Sequence, residues 1–506
     1  WTAAGTSLTV RGSTIDGNQV TVSGTTDEAA IIVRNARGEV VVDNNTVDCN
    51  GSGAGLVMFG NSVPVVVTNN TFVSTGGTRS GDFTGAGICM TEDERFSASG
   101  DGNDHGTRAT VTDNTITGFV RGIDIQRSGI ANTPRETIQA TLDANTIDAL
   151  ETAIWVYDAE GTAANATVSI SNHGLSTWFL GAVETVRIAG GSVAVTGNTF
   201  AGSPTAVYVA NAGQASLDGN VFDLLDTIDL DIAPDAGTVT VGTITPNAFA
   251  ASSWFGAGRY ISNASAQNID ATNNTWSGLS GATATLAELF TIEDMLTHRI
   301  DNPSCGFVRV KAANVYCTFA KETALTGAIT RGISATQSGD TVNIQDGSFY
   351  RGSNIAVPRP LTILGQSQAG VVIGPADAGA TTDYCFLLQS GNVTIRGLTI
   401  DGLANAAAHG AAKYYRTGIF TDSSFGTPFS DLVIDQCTVR NAWRRGIQTY
   451  YGTPAALATG IVVSNCSFSG FDEGPAVVLF DASGAMFGNT VTNSPSGLES
   501  ILWNTA

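Results

Sequence analysis

Seven six-residue phrases in this chain, "VTNNTF", "VTDNTI", "LDANTI", "VTGNTF", "LDGNVF", "ITPNAF" and "ATNNTW", carry asparagine in the fourth place. A catalytic motif occurs once or twice, so a phrase repeated through half a chain is architecture. In register, Asn45, Asn70, Asn114, Asn145, His173, Asn198, Asn220, Asn247 and Asn274 form one column, with spacings of 25, 44, 31, 28, 25, 22, 27 and 27 residues. Three residues earlier stand Val42, Val67, Val111, Leu142, Ile170, Val195, Leu217, Ile244 and Ala271. Two residues later stand Val47, Phe72, Ile116, Ile147, Leu175, Phe200, Phe222, Phe249 and Trp276, so both flanks are expected to point inward. Short strands and inward aliphatic columns at a period of roughly 20 to 30 residues define a parallel β-helix, whose coils stack at about 4.8 Å. The column asparagine is expected to take a left-handed backbone at the turn and to bond to the amides above and below. The N-x-T sequons at Asn44, Asn69 and Asn273 begin one residue before the column and read as turn positions rather than glycosylation sites. "TVRGSTI", near the start, supplies a further rung with Ser13 in the column.

Past residue 390 the register resumes, with Leu398, Cys437, Cys466 and Asn489 in the column. Their flanks are Ile395/Ile400, Ile434/Val439, Val463/Phe468 and Met486/Val491. Cys437 and Cys466 stack directly in this register, close enough for a disulfide, although two buried thiols filling the column are the favoured reading. Between the ladders, Thr285 and Glu288 form a capping box for an amphipathic helix running to about His298, followed by a strand pair or bent strand in "GFVRVKAANVYCTF". Cys305 and Cys317 flank that β segment and are the candidate disulfide. The chain therefore reads as all-β, two parallel β-helix ladders at 1-281 and 323-506, separated by a helix and β junction at 282-322.

The stretch "AITRGISATQSGDTVNIQDGSFYRGSNIAVPRPLTILGQ" resembles the opening of many bacterial right-handed β-helix proteins, where a short helix precedes a "GDTV" strand. Glu288 to Tyr350 also resembles the inter-repeat segment of very large bacterial surface proteins of the adhesin-like kind. The resemblance implies a right-handed solenoid and an extracellular scaffold, and it carries over no catalytic residue.

Composition narrows the partners. The formal net charge of -21 disfavours nucleic acid and anionic membrane surfaces, and no apolar run approaches the length of a bilayer span. Acidity, only 3 Lys (311, 321 and 413) and seven cysteines without a CxxC favour an extracellular or cell-surface protein and argue against zinc.

The presumed opening element lies near residue 320, while the chain starts almost at once with a rung and stops partway round the coil begun at Asn489. From Asn489 through Ala506 and from Trp1 to Ser13 makes 30 residues, one coil. The leading expectation is accordingly a structural or adhesive subunit that stacks head to tail into a fibre, with Trp1, Ser13, Trp503 and Ala506 at the subunit junction and cell-surface glycans as a further partner. Tandem repeats within one longer polypeptide fit the same count.

The alternative is a carbohydrate-active enzyme, a polysaccharide lyase or glycoside hydrolase, on the same scaffold. The "NTD", "GHG" and "RIK" signatures of polygalacturonase-like enzymes are absent, as is the "RxPxxR" of pectate lyases. The best constellation aligns "KYYRTGIFTD" with "AWRRGIQTYY", bringing Lys413, Tyr415 and Arg416 beside Arg444, Arg445 and Tyr450, with Asp472 and Glu473 one coil later. A cation beside a Tyr or Lys suits a lyase, and Asp422 with Asp472 or Glu473 is the only carboxylate pair that suits a glycosidase. The competing reading is a salt-bridged lateral face without chemistry. No cofactor is called for, although Asp101, Asn103 and Asp104 form a weakly patterned candidate calcium site in a long excursion.

Overall fold

A computed structural model describes residues 13–22, 29–36, 38–49, 53–61, 63–74, 85–91, 106–127, 137–158, 166–176, 184–202, 204–222, 227–250, 258–323, 327–376, 383–404, 415–421, 429–449 and 458–501. It divides into two compact units. The first comprises residues 1–283, 295–297 and 304–308, and the second 284–294, 298–303 and 309–506.

Among the described residues each unit is built on a parallel β-helix of three sheets, to which most coils contribute one strand per sheet, and Leu279–Ser280 ends sheet 2 antiparallel to Thr275–Trp276. In the first unit, sheet 1 has nine strands from Ser13–Asp16 to Val239–Val241. Sheet 2 has eleven, beginning at Gln19–Val22, and sheet 3 has ten, from Ala29–Arg34 to Leu296–Thr297. Alternation along each strand sends every second side chain inward. Val42, Val67, Val111, Leu142, Ile170, Val195, Leu217 and Val241 are successive register partners and all are buried. On sheet 2, Phe200, Phe222, Phe249 and Trp276 stack at 5.0, 4.9 and 4.9 Å between ring centroids. Such contacts are each worth about 0.5–1.5 kcal/mol beyond the area they bury.

The turn between sheets 1 and 2 differs from the expectation in one respect. The left-handed residue is the one before the column: Asn44, Asn69, Asp113, Ala144 and Asn172 have φ of 52 to 57°, and Gly17, Gly197 and Gly219 have φ near 66°. The column asparagine then enters the core, where it is almost wholly buried. Asn45, Asn70, Asn114 and Asn145 each accept from the backbone N–H of the preceding column residue at 2.9–3.1 Å. Asn198, Asn220, Asn247 and Asn274 do the same at 2.9–3.0 Å.

Three further expectations are corrected. Asn18, not Ser13, occupies the first column position, because Ser13 pairs with Val40 and Asn18 Nδ2 donates to Asn45 Oδ1 at 2.9 Å. The coil count proposed across the termini therefore lengthens by five residues. Ile244 is 84% exposed rather than inward, since Val241 takes the inward place opposite Leu217 and residues 242–245 loop out. The Asp218 carboxylate holds that loop by accepting the Ile244 N–H at 2.8 Å. The junction helix α1, Leu286–Asp294, stops short of His298, because Leu296–Thr297 joins sheet 3 opposite Ile261. Its capping box is made: Thr285 N donates to Glu288 Oε2 at 2.8 Å and Glu288 N to Thr285 Oγ1 at 3.3 Å.

In the second unit the sheets begin at Asn314–Cys317, Gly347–Arg351 and Ile355–Val357 and hold seven, six and six strands. Helix α2, Ala328–Ala335, supplies the short helix ahead of the "GDTV" strand Thr341–Ile344. No disulfide joins Cys305 and Cys317, so the candidate bridge is not formed. Cys317 Sγ is directed at α2, where it lies 3.4 Å from Ala328 O, with Gly332 leaving room above it. Cys437 and Cys466 are also free and buried.

Candidate functional site

Sheet 3 of the first unit carries the densest chemistry, on its outer face. The strands Thr152–Asp158, Glu184–Ala189, Thr205–Ala210 and Ile228–Ile232 read "TAIWVYD", "ETVRIA", "TAVYVA" and "IDLDI". Their aliphatic residues Ile154, Val156, Val186, Ile188, Val207, Val209, Leu230 and Ile232 are fully buried. Period-two alternation must then project Trp155, Arg187, Tyr208 and Asp231 to the other side. Parallel register stacks these four in successive coils, with Asp124 before them and Ser262 after. The result is a stripe along the solenoid axis at about 4.8 Å per step.

Arg187 is the centre of the stripe. Its Nη1 bonds Glu184 Oε1 at 2.7 Å, and its guanidinium carbon lies 4.9 Å from the Tyr208 ring centroid and 5.5 Å from that of Trp155. The side chain is 32% exposed and its Nε has no hydrogen-bond partner within the protein. Arg121 covers the Trp155 ring and pairs with buried Asp124 at 2.8 Å, while Tyr157 meets Trp155 edge-on at 6.3 Å.

Burial raises the Glu184 carboxyl above its ordinary range and outweighs the attraction of Arg187. Burial likewise raises Asp231, against the hydrogen bond from Ser262. Two carboxyls displaced toward the protonated form and a partly exposed guanidinium set against two aromatic rings can bind an anionic or hydroxyl-rich group and move a proton. The sequence reading missed this stripe, although the alternation of "IWVYD" and "TAVYVA" marks both aromatic residues as outward.

The second-unit constellation is only partly assembled. Lys413, Asp422 and Tyr450 lie outside the described residues, as do Asp101, Asn103 and Asp104 of the calcium candidate and Trp1, Trp503 and Ala506 of the proposed junction. The coil register does bring the strands together. Trp443 N donates to Tyr415 O at 2.9 Å, Arg444 N to Arg416 O at 3.1 Å and Asp472 N to Trp443 O at 3.1 Å. Tyr415, however, is completely buried with its hydroxyl raised well above the phenol range by burial, which removes it as a base acting on a polymer. Arg416 faces the Trp443 ring at 6.0 Å, and Arg445 bonds Gln448 at 2.7 Å and faces Phe480 at 5.4 Å. Asp472 and Glu473 are exposed. Among the described residues, no group of three His, Cys, Asp or Glu side chains is placed to hold a metal ion, and no helix is long and apolar enough to cross a membrane.

No known protein family matches the chain, and no curated protein matches it. Among solved structures it aligns with the PL6 family alginate lyase AlyGC over 97% of this chain and 86% of that chain, at 12% identity and a TM-score of 0.25. An arginine-to-alanine mutant of the same enzyme aligns over 94% and 82%, again at 12% identity and 0.25. The assignment of a parallel β-helix rests on the strand registers themselves.

Proposed function

We propose that this β-helix is a carbohydrate-active protein of the extracellular space, a lyase or hydrolase that lays an extended polysaccharide along the outer face of sheet 3 in the first unit. The carrying observation is the in-register stripe of Trp155, Arg187, Tyr208 and Asp231. Its step of one coil is close to the length of one sugar unit. Trp155 and Tyr208 hold the Arg187 guanidinium in place, Arg187 binds a carboxylate or hydroxyls, and Asp231 transfers the proton.

The test is depolymerisation of a panel of acidic and neutral polysaccharides, read as falling viscosity and new chain ends. Arg187→Ala is expected to abolish binding, and Asp231→Asn to lower turnover about 100-fold or more while binding persists. Binding without product formation by the wild type would sink the enzymatic reading, and wild-type behaviour of both variants would sink the site.

One observation favours a structural reading as well. In the coil of Ala482–Phe487, Thr490–Thr492 and Ser496–Ile501, the core positions Met486, Val491 and Leu498 are only partly covered, whereas their register partners Val463, Phe468 and Val477 are fully buried. A further coil, from the same polypeptide or from a second copy, would cover them, as in a fibre. Electron microscopy of native material distinguishes the two: filaments that dissociate to single chains support assembly, and discrete short rods oppose it.

A further inference from the structure

The chain has almost no lysine, yet buries Lys321 in the second unit among acidic side chains. Its Nζ lies 3.0 Å from Asp301 Oδ2 and 3.1 Å from Glu293 Oε1, and the Lys321 and Glu293 side chains are 4% and 1% exposed. Asp301 Oδ2 also accepts the backbone N–H of His298 at 2.9 Å. The His298 ring bonds Glu293 Oε1 at 2.6 Å, while Glu293 Oε2 is buried without a hydrogen-bond partner. Arg331 clamps both reacting segments by donating from Nε to Ile300 O at 2.5 Å and from Nη2 to Lys321 O at 2.6 Å.

As an ion pair this arrangement is expensive, because Lys321 and Glu293 have left water for a low-dielectric site. As an amide it is less so, because condensation removes the charges of Lys321 and Asp301. Nζ is already in contact with the Asp301 carboxylate, and burial of the amine disfavours hydrolysis of the product. We propose that the chain cross-links itself here, forming an amide between Lys321 Nζ and Asp301 Cγ with Glu293 as the proton carrier.

The steps balance without an outside reagent. Glu293 takes a proton from the Lys321 ammonium, and the freed amine attacks Asp301 Cγ. The His298 N–H holds the charge that builds on Oδ2, as an oxyanion-hole donor does. Glu293 passes that proton and a second one from Nζ to Oδ1, the C–Oδ1 bond breaks, and one water departs. One hydrogen stays on the new amide nitrogen and Glu293 returns to its starting charge. Asp301 is 31% exposed, which gives the water a way out.

The experiment is the intact mass of the full chain, folded and then denatured under reducing conditions. The wild type is expected to fall below its sequence mass by one water. A tryptic digest should yield a branched peptide joining the Asp301 and Lys321 segments, with no cleavage after Lys321. Lys321→Arg and Glu293→Gln should keep their full masses, and Asp301→Asn should lose ammonia in place of water. A wild type at full sequence mass after long incubation would overturn the proposal. So would water loss that persists in Lys321→Arg, because that marks a succinimide at Asp301 and not a cross-link. If Glu293→Gln folds, judged by circular dichroism, and still cross-links, Glu293 is not the proton carrier. If it does not fold, the Lys321→Arg and Asp301→Asn masses decide.

Discussion

The two units use the same turn with different fillings. In the first, the column is an amide ladder: Asn114 Nδ2 donates to Asn145 Oδ1 at 2.9 Å, to Val67 O at 3.0 Å and to Thr112 O at 2.8 Å. In the second, Gly397, Gln436, Asn465 and Gly488 hold the same left-handed position, but the column reads Leu398, Cys437, Cys466, Asn489. Cys437 Sγ lies 3.6 Å from Ile395 O and 3.4 Å from Asp435 O, the places an amide nitrogen would serve, and Cys466 Sγ accepts the Cys437 N–H at 3.4 Å. A thiol has one weak hydrogen where the amide has two, and longer contacts. The comparison separates two roles: the turn needs a left-handed residue followed by a buried inward one, whereas the amide adds hydrogen bonds to a turn that forms without it.

The comparison can be broken first at Asn114. Asn114→Ala takes the acceptor from the buried backbone N–H of Asn70 and removes one bond each from Asn70 Nδ2, Asn145 Oδ1, Val67 O and Thr112 O, and should cost about 3 kcal/mol or more in denaturant unfolding. Cys437→Ala should cost no more than about 1 kcal/mol by the same measurement, since its bonds are weaker. Equal losses would refute the distinction.

His173 is the weak rung inside the strong ladder. Its Nδ1 lies 3.2 Å from both Asn145 N and Asn145 O, and its Nε2 is buried without a hydrogen-bond partner. His173→Asn should restore the ladder to Asn198 and raise stability by about 2 kcal/mol. Burial lowers the His173 pKa below its ordinary 6.5, so the folded state binds fewer protons than the unfolded one as the pH falls through that value. The His173 contribution is therefore complete above about pH 6.5 and lost progressively below it, and the variant should lose less stability on acidification. A parallel pH dependence in the two proteins would show that His173 is not titrating.

Smaller effects sharpen the picture. Cys466→Asn should join the amide of Asn489 and gain about 1 kcal/mol, unless the column lacks room for it. Ala144 holds φ of 52° with a Cβ, so Ala144→Gly should gain somewhat under 1 kcal/mol as steric relief is offset by the flexibility of the unfolded chain, which a melting curve would detect.

Much of the first column was legible because an asparagine between fixed apolar flanks has few other physical meanings. Asn18 was legible too, since "IDGNQV" places Ile15 three residues before it and Val20 two after, as in "LDGNVF"; the error at Ile244 arose because a loop insertion keeps the 22- to 27-residue spacing plausible. The lateral stripe was harder. Trp155, Arg187, Tyr208 and Asp231 lie 32, 21 and 23 residues apart, so no fixed interval in the sequence marks them as neighbours.

The sequence by itself determined the coil, because a buried column and its inward flanks must recur wherever a turn does, whatever the loops between them. Only the tertiary structure decided which outward side chains share a face and which buried charges meet. Coils differ in length, and the parallel hydrogen-bonded register, not the residue count, aligns Arg187 between Trp155 and Tyr208. At Lys321 even the register is insufficient: Glu293 at the end of α1, Asp301 in a turn and Lys321 in the short helical turn Phe319–Lys321 come together through packing of the junction, which no periodicity encodes.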